Sequence, residues 1–208
     1  MKLLPIYPGG EQMKRSMPQK KRHTAPSQEP ETSSHNLGCN MSYTTVIHVW
    51  PGEKSETAEE FRNAWGSGPV IWNDMAIRYL GAVPHGYMMR IDELWPLANR
   101  EDIPLHHRAV LAMTYDRMYV LKEHYPRAAE CIRLYLADFP PNEATVNHWS
   151  AIAELFEGNP DCPAIGLWLT SVCEDPFVGE WDEEAEEYSQ PDWSRYWSLF
   201  DHLDEVAV

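Results

Sequence analysis

The densest group of ionisable side chains in this chain of 208 residues is acidic and lies close to its C-terminal end. Eight carboxylates fall within the 14 residues from 174 to 187, and two aromatic residues, Trp181 and Tyr188, accompany them. The carboxylates are Glu174, Asp175, Glu180, Asp182, Glu183, Glu184, Glu186 and Glu187. Like charges at this density repel one another, so the pattern predicts an extended and solvated acidic loop over residues 174–190.

Two kinds of chemistry are open to the acidic loop beyond that of a simple solvated surface. Its carboxylates could present an array of negative charge to a basic groove of a partner protein, with Trp181 and Tyr188 as anchors. A divalent-cation loop is disfavoured, because the stretch lacks the alternating Asp or Asn and the Gly of an EF-hand. We therefore take the eight carboxylates and the two aromatic residues as the candidate partner-binding set.

A second set of residues with catalytic potential is Asp116, Arg117 and His124, which the apolar pattern places on one central helix. Six residues separate Arg117 from His124, and this spacing resembles the Arg-to-His motif of the HEPN ribonucleases, an all-helical family. The resemblance implies RNA cleavage, but Met118 stands where that family usually has a polar residue. An ordinary pair on a helix surface is the favoured interpretation, and a hydrolase or ribonuclease is the alternative.

Histidine and cysteine spacing predicts neither a metal site nor a bound cofactor. No H-E-x-x-H motif occurs, and His106 and His107 would point about 100° apart on a helix. These two residues and His85, His124 and His148 are interpreted as surface histidines or structural histidines with satisfied hydrogen bonds. The four cysteines, Cys39, Cys131, Cys162 and Cys173, form no C-x-x-C pair and indicate reduced thiols in the cytoplasm.

Charge restricts the classes of partner. The formal net charge is −15, and residues 1–40 carry six Lys and Arg against three Asp and Glu. That leaves 11 basic against 29 acidic residues, a net charge near −18, for residues 41–208. Such a field disfavours nucleic acid and anionic membranes and favours basic proteins. No run approaches the roughly 20 apolar residues that span a bilayer.

The N-terminal part of the chain predicts a tail and the first elements of a domain. Residues 1–40 are rich in Pro, Ser, Lys and Gln, which indicates a disordered basic and polar tail. The run from Tyr43 to Trp50 predicts a strand that ends at a turn. Thr57 and Glu60 form a capping box, which predicts a helix over 57–65.

The remaining apolar periodicity predicts more helices than strands. A second helix is expected at 69–81, irregular backbone or a broken short helix at 83–103, a buried central helix at 104–124 and two helices at 126–139 and 142–158. A strand at 164–173 that pairs with the first strand and an amphipathic C-terminal helix from Trp193 complete the pattern. The predicted fold is α+β and predominantly helical: an antiparallel helix bundle with a small sheet of two or more strands, in a single acidic globular domain over 41–208.

These observations favour an acidic interaction protein without enzymatic activity. It would occupy a basic, nucleic-acid-binding surface of a partner, as small acidic inhibitors of phages and other mobile elements do, and nucleic-acid mimicry would be one version. The alternative is the small helical hydrolase or ribonuclease built on Asp116, Arg117 and His124. A structural component of an assembly is a third class, and the pattern does not decide between a monomer and a dimer.

Overall fold

The computed structural model of the protein describes residues 42–143, 145–171 and 173–206. The predicted tail over residues 1–40 lies outside this range. The fold is built around a five-stranded sheet, with helices on one face and an irregular C-terminal segment on the other.

The first two strands form an antiparallel hairpin. Strand β1 (Tyr43–Trp50) is rich in β-branched residues, and strand β2 (Lys54–Arg62) pairs with it along its whole length. The backbone of Gly52 takes φ 87° in the connecting turn, a conformation that glycine adopts without strain. The helix predicted over 57–65 is wrong, because pairing with β1 satisfies the backbone that a helix would have bonded within itself.

Three further strands complete the sheet. Strand β3 (Met118–Leu121) and strand β4 (Ala164–Trp168) are antiparallel neighbours, and β4 also pairs with β1 as the sequence predicted. Strands β5 (Trp181–Asp182) and β6 (Glu187–Tyr188) form a separate two-stranded sheet. Strand β7 (Trp197–Ser198) runs parallel to β3, so the order of the large sheet is β2-β1-β4-β3-β7.

The described residues contain six α-helices, joined in part by short 3-10 segments. They are α1 (Gly68–Leu80), α2 (Ile91–Leu94), α3 (Leu105–Ala112), α4 (Tyr125–Asp138), α5 (Trp149–Glu157) and α6 (Leu199–Val206). Helices α1 and α4 match the predicted segments within a residue or two, and the region 83–103 is the broken helical stretch that its prolines predict. None of the helices in the described part of the chain has the length and apolar character needed to cross a bilayer.

The predicted helix bundle is wrong, and the protein has a mixed α+β fold. The buried run over 104–124 is not one helix: α3 ends at Ala112, and the chain turns and continues as β3. Apolar residues all around the circumference suit a buried strand as well as a buried helix, and pairing with β4 decides between them here. The C-terminal helix also begins later than predicted, at Leu199, because Trp193 lies in a 3-10 turn before β7.

Alternating residues of the sheet divide its two faces. On one face, Val46, Val120 and Ile165 belong to the main core with the helices. The opposite face carries a smaller cluster that includes Ile47, Val49 and Ala164. Phe177 of the acidic region and the partly buried Trp193 and Tyr196 cover that second face. The segment predicted as a free loop is therefore attached to the sheet.

Candidate functional site: an acidic hairpin and a histidine cluster

The acidic region is an ordered β-hairpin instead of an extended loop. Its backbone ladder begins where the N–H of Gly179 donates to the carbonyl of Ser189 at 2.7 Å. The N–H of Ser189 donates to Glu180 at 2.9 Å, and Trp181 and Asp182 then pair with Tyr188 and Glu187. We call residues 179–189 the acidic hairpin.

Asp182 stabilises the tip of the acidic hairpin. Its Oδ1 accepts hydrogen bonds from the backbone N–H groups of Glu184 and Ala185 at 2.9 and 3.0 Å. Such an Asx arrangement satisfies backbone donors inside a tight turn. Glu186 completes the reversal with φ 54°, a left-handed conformation that is uncommon outside glycine. The turn is thus defined by local contacts even though its charges repel.

The two aromatic residues of the acidic hairpin lie side by side across its strands. The ring centroids of Trp181 and Tyr188 are 5.0 Å apart, and the rings meet edge to face at 68°. Both remain half exposed, at 50% and 57% of their surface. A cross-strand aromatic pair stabilises a short hairpin, and here it also displays apolar area to solvent.

Most of the predicted partner-binding carboxylates surround this aromatic pair in solvent. Every residue from Glu180 to Gln190 is exposed, and so is Glu174. Asp175 differs: it is partly buried, its Oδ1 accepts from the N–H of Phe177 at 2.8 Å, and burial raises its pKa. Asp175 thus shapes the entry to the hairpin, while the remaining carboxylates face water.

Phe177 fixes the acidic hairpin to the large sheet. Its side chain is 1% exposed and packs on Gly166 of β4, where a Cβ atom would come within 2.1 Å of the Phe177 ring. The hydroxyl of Ser55 donates to the carbonyl of Phe177 at 2.8 Å, and the hydroxyl of Tyr196 donates to Pro176. Residue 166 must therefore be glycine, because the Phe177 ring lies too close to its backbone to leave room for a Cβ atom.

The alternative catalytic set is distributed along β3. Asp116 and Arg117 precede the strand, and His124 lies in a 3-10 turn that follows it. Four strand residues at about 3.3 Å each separate the two ends by about 13 Å. His124 instead approaches α6, with its Nε2 3.7 Å from Asp201, while the backbone carbonyl of Arg117 accepts from Trp197. The structure does not bring Arg117 and His124 to one point.

A second cluster of ionisable groups connects the beginning of α3 with the end of α4. One oxygen of Asp138, Oδ2, lies 2.8 Å from Nε2 of His106 and 2.9 Å from Nε2 of His107. We call these three residues the His-Asp cluster. A carboxylate can only accept, so both imidazoles donate their Nε2 proton to it. His107 is buried, whereas Asp138 lies at the protein surface.

The second nitrogen of the buried histidine is also engaged. Nδ1 of His107 is hydrogen-bonded to the hydroxyl of Tyr79 on α1, and the rings of Tyr135 and Phe139 pack within 5.5 Å of the imidazole. Burial lowers the pKa of His107, and the neighbouring His106 lowers it further. The hydrogen bonds from His106 and His107 hold the pKa of Asp138 below its usual range. The cluster therefore contains a neutral imidazole and an ionised carboxylate near pH 7.

Sequence reasoning did not find the His-Asp cluster. Consecutive helix positions point about 100° apart, which disfavours a shared metal or hydrogen-bond partner for His106 and His107. Asp138 lies more than 30 residues away, so no local spacing connects it to the two histidines. The usable signal was the His-His pair at the start of one amphipathic helix and an Asp at the end of the next. Two long side chains can converge on a third group even when their Cβ atoms diverge.

Comparison of the chain with protein-family models, with curated proteins and with solved structures gives no match. The function is therefore inferred from the geometry of the acidic hairpin and the His-Asp cluster.

Proposed function

We propose that the protein is a non-enzymatic interaction protein that places its acidic hairpin on a basic surface of a partner protein. The observation that carries this proposal is the half-exposed pair of Trp181 and Tyr188 amid exposed carboxylates. Trp and Tyr anchors carry much of the binding energy in protein interfaces, and a polar rim in contact with solvent surrounds them.

The arrangement of the hairpin supports binding by reducing its entropic cost. Asp182 orders the tip, and Phe177 attaches the base to the sheet, so the charges and rings are held before a partner arrives. A preorganised surface loses less conformational freedom on association than a flexible loop does. Because the hairpin carboxylates face water, they keep their hydration in the free protein. Their charge also steers a cationic partner towards the hairpin.

The partner class follows from charge. A net charge near −18 over residues 41–208 favours a basic protein, and proteins that bind nucleic acid present basic surfaces to its phosphates. In this proposal the hairpin carboxylates stand in for phosphates and block the groove, as an inhibitor or regulator would. We place this activity in the cytoplasm, which the free thiols of Cys131, Cys162 and Cys173 support.

A charge-neutralised hairpin tests the proposal. The variant carries Gln in place of Glu183, Glu184, Glu186 and Glu187, and the matched control carries Gln in place of Glu53, Glu56, Glu59 and Glu60. Both remove four negative charges from exposed positions of a hairpin. Proteins captured from a lysate of the source organism are then compared at low and high salt by mass spectrometry.

The expected result is a basic protein retained by the wild type and by the control at low salt, released by high salt, and lost from the hairpin variant. Screening of exposed charges within about 10 Å at 0.1 M salt predicts that release. A basic partner that binds the control and the hairpin variant equally would show that net charge alone attracts it. That outcome, or the capture of no basic protein, would contradict the proposed function.

A further inference from the structure

We propose that the His-Asp cluster is a binding site for one divalent transition-metal ion of the Zn²⁺ class, with Nε2 of His106, Nε2 of His107 and Oδ2 of Asp138 as ligands. The three ligand atoms lie within 4.8 Å of one another. This inference concerns a different part of the fold from the acidic hairpin and does not depend on its function.

The donor set selects the class of metal. Imidazole nitrogen with carboxylate oxygen suits Zn²⁺, Co²⁺ and similar ions, whereas Ca²⁺ and Mg²⁺ prefer oxygen ligands throughout. Two histidines and one carboxylate are also the ligand number of zinc sites that keep one position for water. The exposed side of Asp138 supplies the route by which an ion and its water would enter.

The two distances to Asp138 Oδ2 require only a small expansion, and the two Nε2 atoms already lie within 4.8 Å of each other. In a tetrahedral zinc site, ligands at about 2.05 Å from the ion lie about 3.3 Å from one another. The two contacts to Asp138 Oδ2 now measure 2.8 and 2.9 Å, so the ligands must separate by roughly half an ångström. Asp138 is the last residue of α4 and is exposed, and rotation of its side chain can provide this movement.

The surroundings of His107 suit a metal ligand, because its Nε2 atom faces the cluster while its Nδ1 atom is hydrogen-bonded to Tyr79. Each imidazole would bind the ion as the neutral tautomer that carries its one proton on Nδ1, so the Nε2 proton would be released to solvent while Nδ1 takes up a proton from solvent. In His107 the Nδ1–H would then donate to the hydroxyl oxygen of Tyr79, which is already its neighbour. A partner of this kind orients a metal-bound imidazole. The rings of Tyr135 and Phe139 limit the ring to one position.

Cobalt titration of the full-length protein tests the site. Co²⁺ in a tetrahedral environment with nitrogen ligands absorbs in the visible range, so stoichiometry and affinity are read directly, and Zn²⁺ should displace it and remove the absorption. We expect one Co²⁺ per wild-type chain. Asp138→Asn and His106→Gln, both at positions with some exposure, should each lower the affinity at least tenfold, and Tyr79→Phe about tenfold.

His124→Gln is the matched control, because His124 also lies near a carboxylate, Asp201, but among the described residues this pair is not part of a cluster of three potential metal ligands. It should bind Co²⁺ as the wild type does. Circular dichroism of each variant separates lost binding from lost folding, and the surface variant Asp138→Asn remains informative if a histidine variant unfolds. Failure of the wild type to bind Co²⁺, or equal binding by Asp138→Asn and His106→Gln, would overturn the proposal.

Discussion

The acidic hairpin and the His-Asp cluster both combine carboxylates with aromatic rings, yet different levels of structure determine their geometry. In the hairpin, contacts join residues close in sequence, such as Asp182 to Glu184. In the cluster, contacts join three helices, and His106 lies 32 residues from Asp138. The hairpin leaves its charges in water, whereas the charge of Asp138 in the cluster accepts hydrogen bonds from two histidines, one of them buried. The hairpin carboxylates are thus available to a partner, whereas Asp138 contributes to the contact between α3 and α4.

This comparison predicts that the hairpin depends on its anchor more than on its charges. The Phe177→Ala variant removes a buried ring from the second face of the sheet and should lower the free energy of unfolding by about 3 kcal/mol. Urea unfolding measures the loss, and faster proteolysis within 179–189 would show that the hairpin is released. Trp181→Ala, at a half-exposed ring, is the control and should cost less. Equal costs for the two variants would contradict the assigned anchoring role.

Asp74 in helix α1 predicts a pH dependence of the stability of the helical region. Burial raises the pKa of Asp74, a hydrogen-bond partner of Tyr135, from 3.8 to about 6. The folded protein therefore keeps a proton that the unfolded chain has already released, and stability falls as the pH rises from 3.8 to about 6. Asp74→Asn removes this loss. Between these limits the variant should gain about 1 kcal/mol relative to the wild type, since partial solvation reduces the full linkage effect.

Urea unfolding of both proteins at several pH values measures that gain. Parallel pH dependences of the wild type and Asp74→Asn would contradict the raised pKa of Asp74. A gain that grows steadily to the upper pH limit would support it.

The smallest effect is expected for the hairpin charges themselves. Gln at Glu183, Glu184, Glu186 and Glu187 should change the free energy of unfolding by less than about 0.5 kcal/mol, because all four side chains are exposed. Asp182→Ala, which removes the tip hydrogen bonds, should cost more than the four substitutions together. Thermal unfolding compares the two variants, and the reverse order would show that the charges determine the structure of the hairpin.

The difference between local and long-range contacts also explains which parts of the fold could be predicted from the sequence. Strand β1, its pairing with β4 and helices α1 and α4 were predicted correctly, since local periodicity and end signals specify them. The segments at 57–65 and 113–121 carry apolar spacing that also fits a helix. Their pairing with β1 and β4 outweighed that local pattern, and such pairing is not visible in the segment alone.

For the candidate sites, the acidic residues and both aromatic residues were predictable from composition, but the contact between Trp181 and Tyr188 was not. Trp181 and Tyr188 face each other only because a tight turn places them in register. The His-Asp cluster depends on the packing of α3 against α4, which no local pattern encodes. The apolar pattern predicts Asp116, Arg117 and His124 on one helix, but strand β3 separates His124 from the other two residues.

Photo-crosslinking from the hairpin tests whether the acidic hairpin itself contacts the basic partner. A photoreactive phenylalanine analogue replaces Tyr188 in one sample and Val83, an exposed residue outside the hairpin, in another. Irradiation in the presence of the salt-sensitive basic partner should give a covalent adduct from position 188 and little from position 83. An adduct that forms equally from both positions, or only from position 83, would contradict binding through the acidic hairpin.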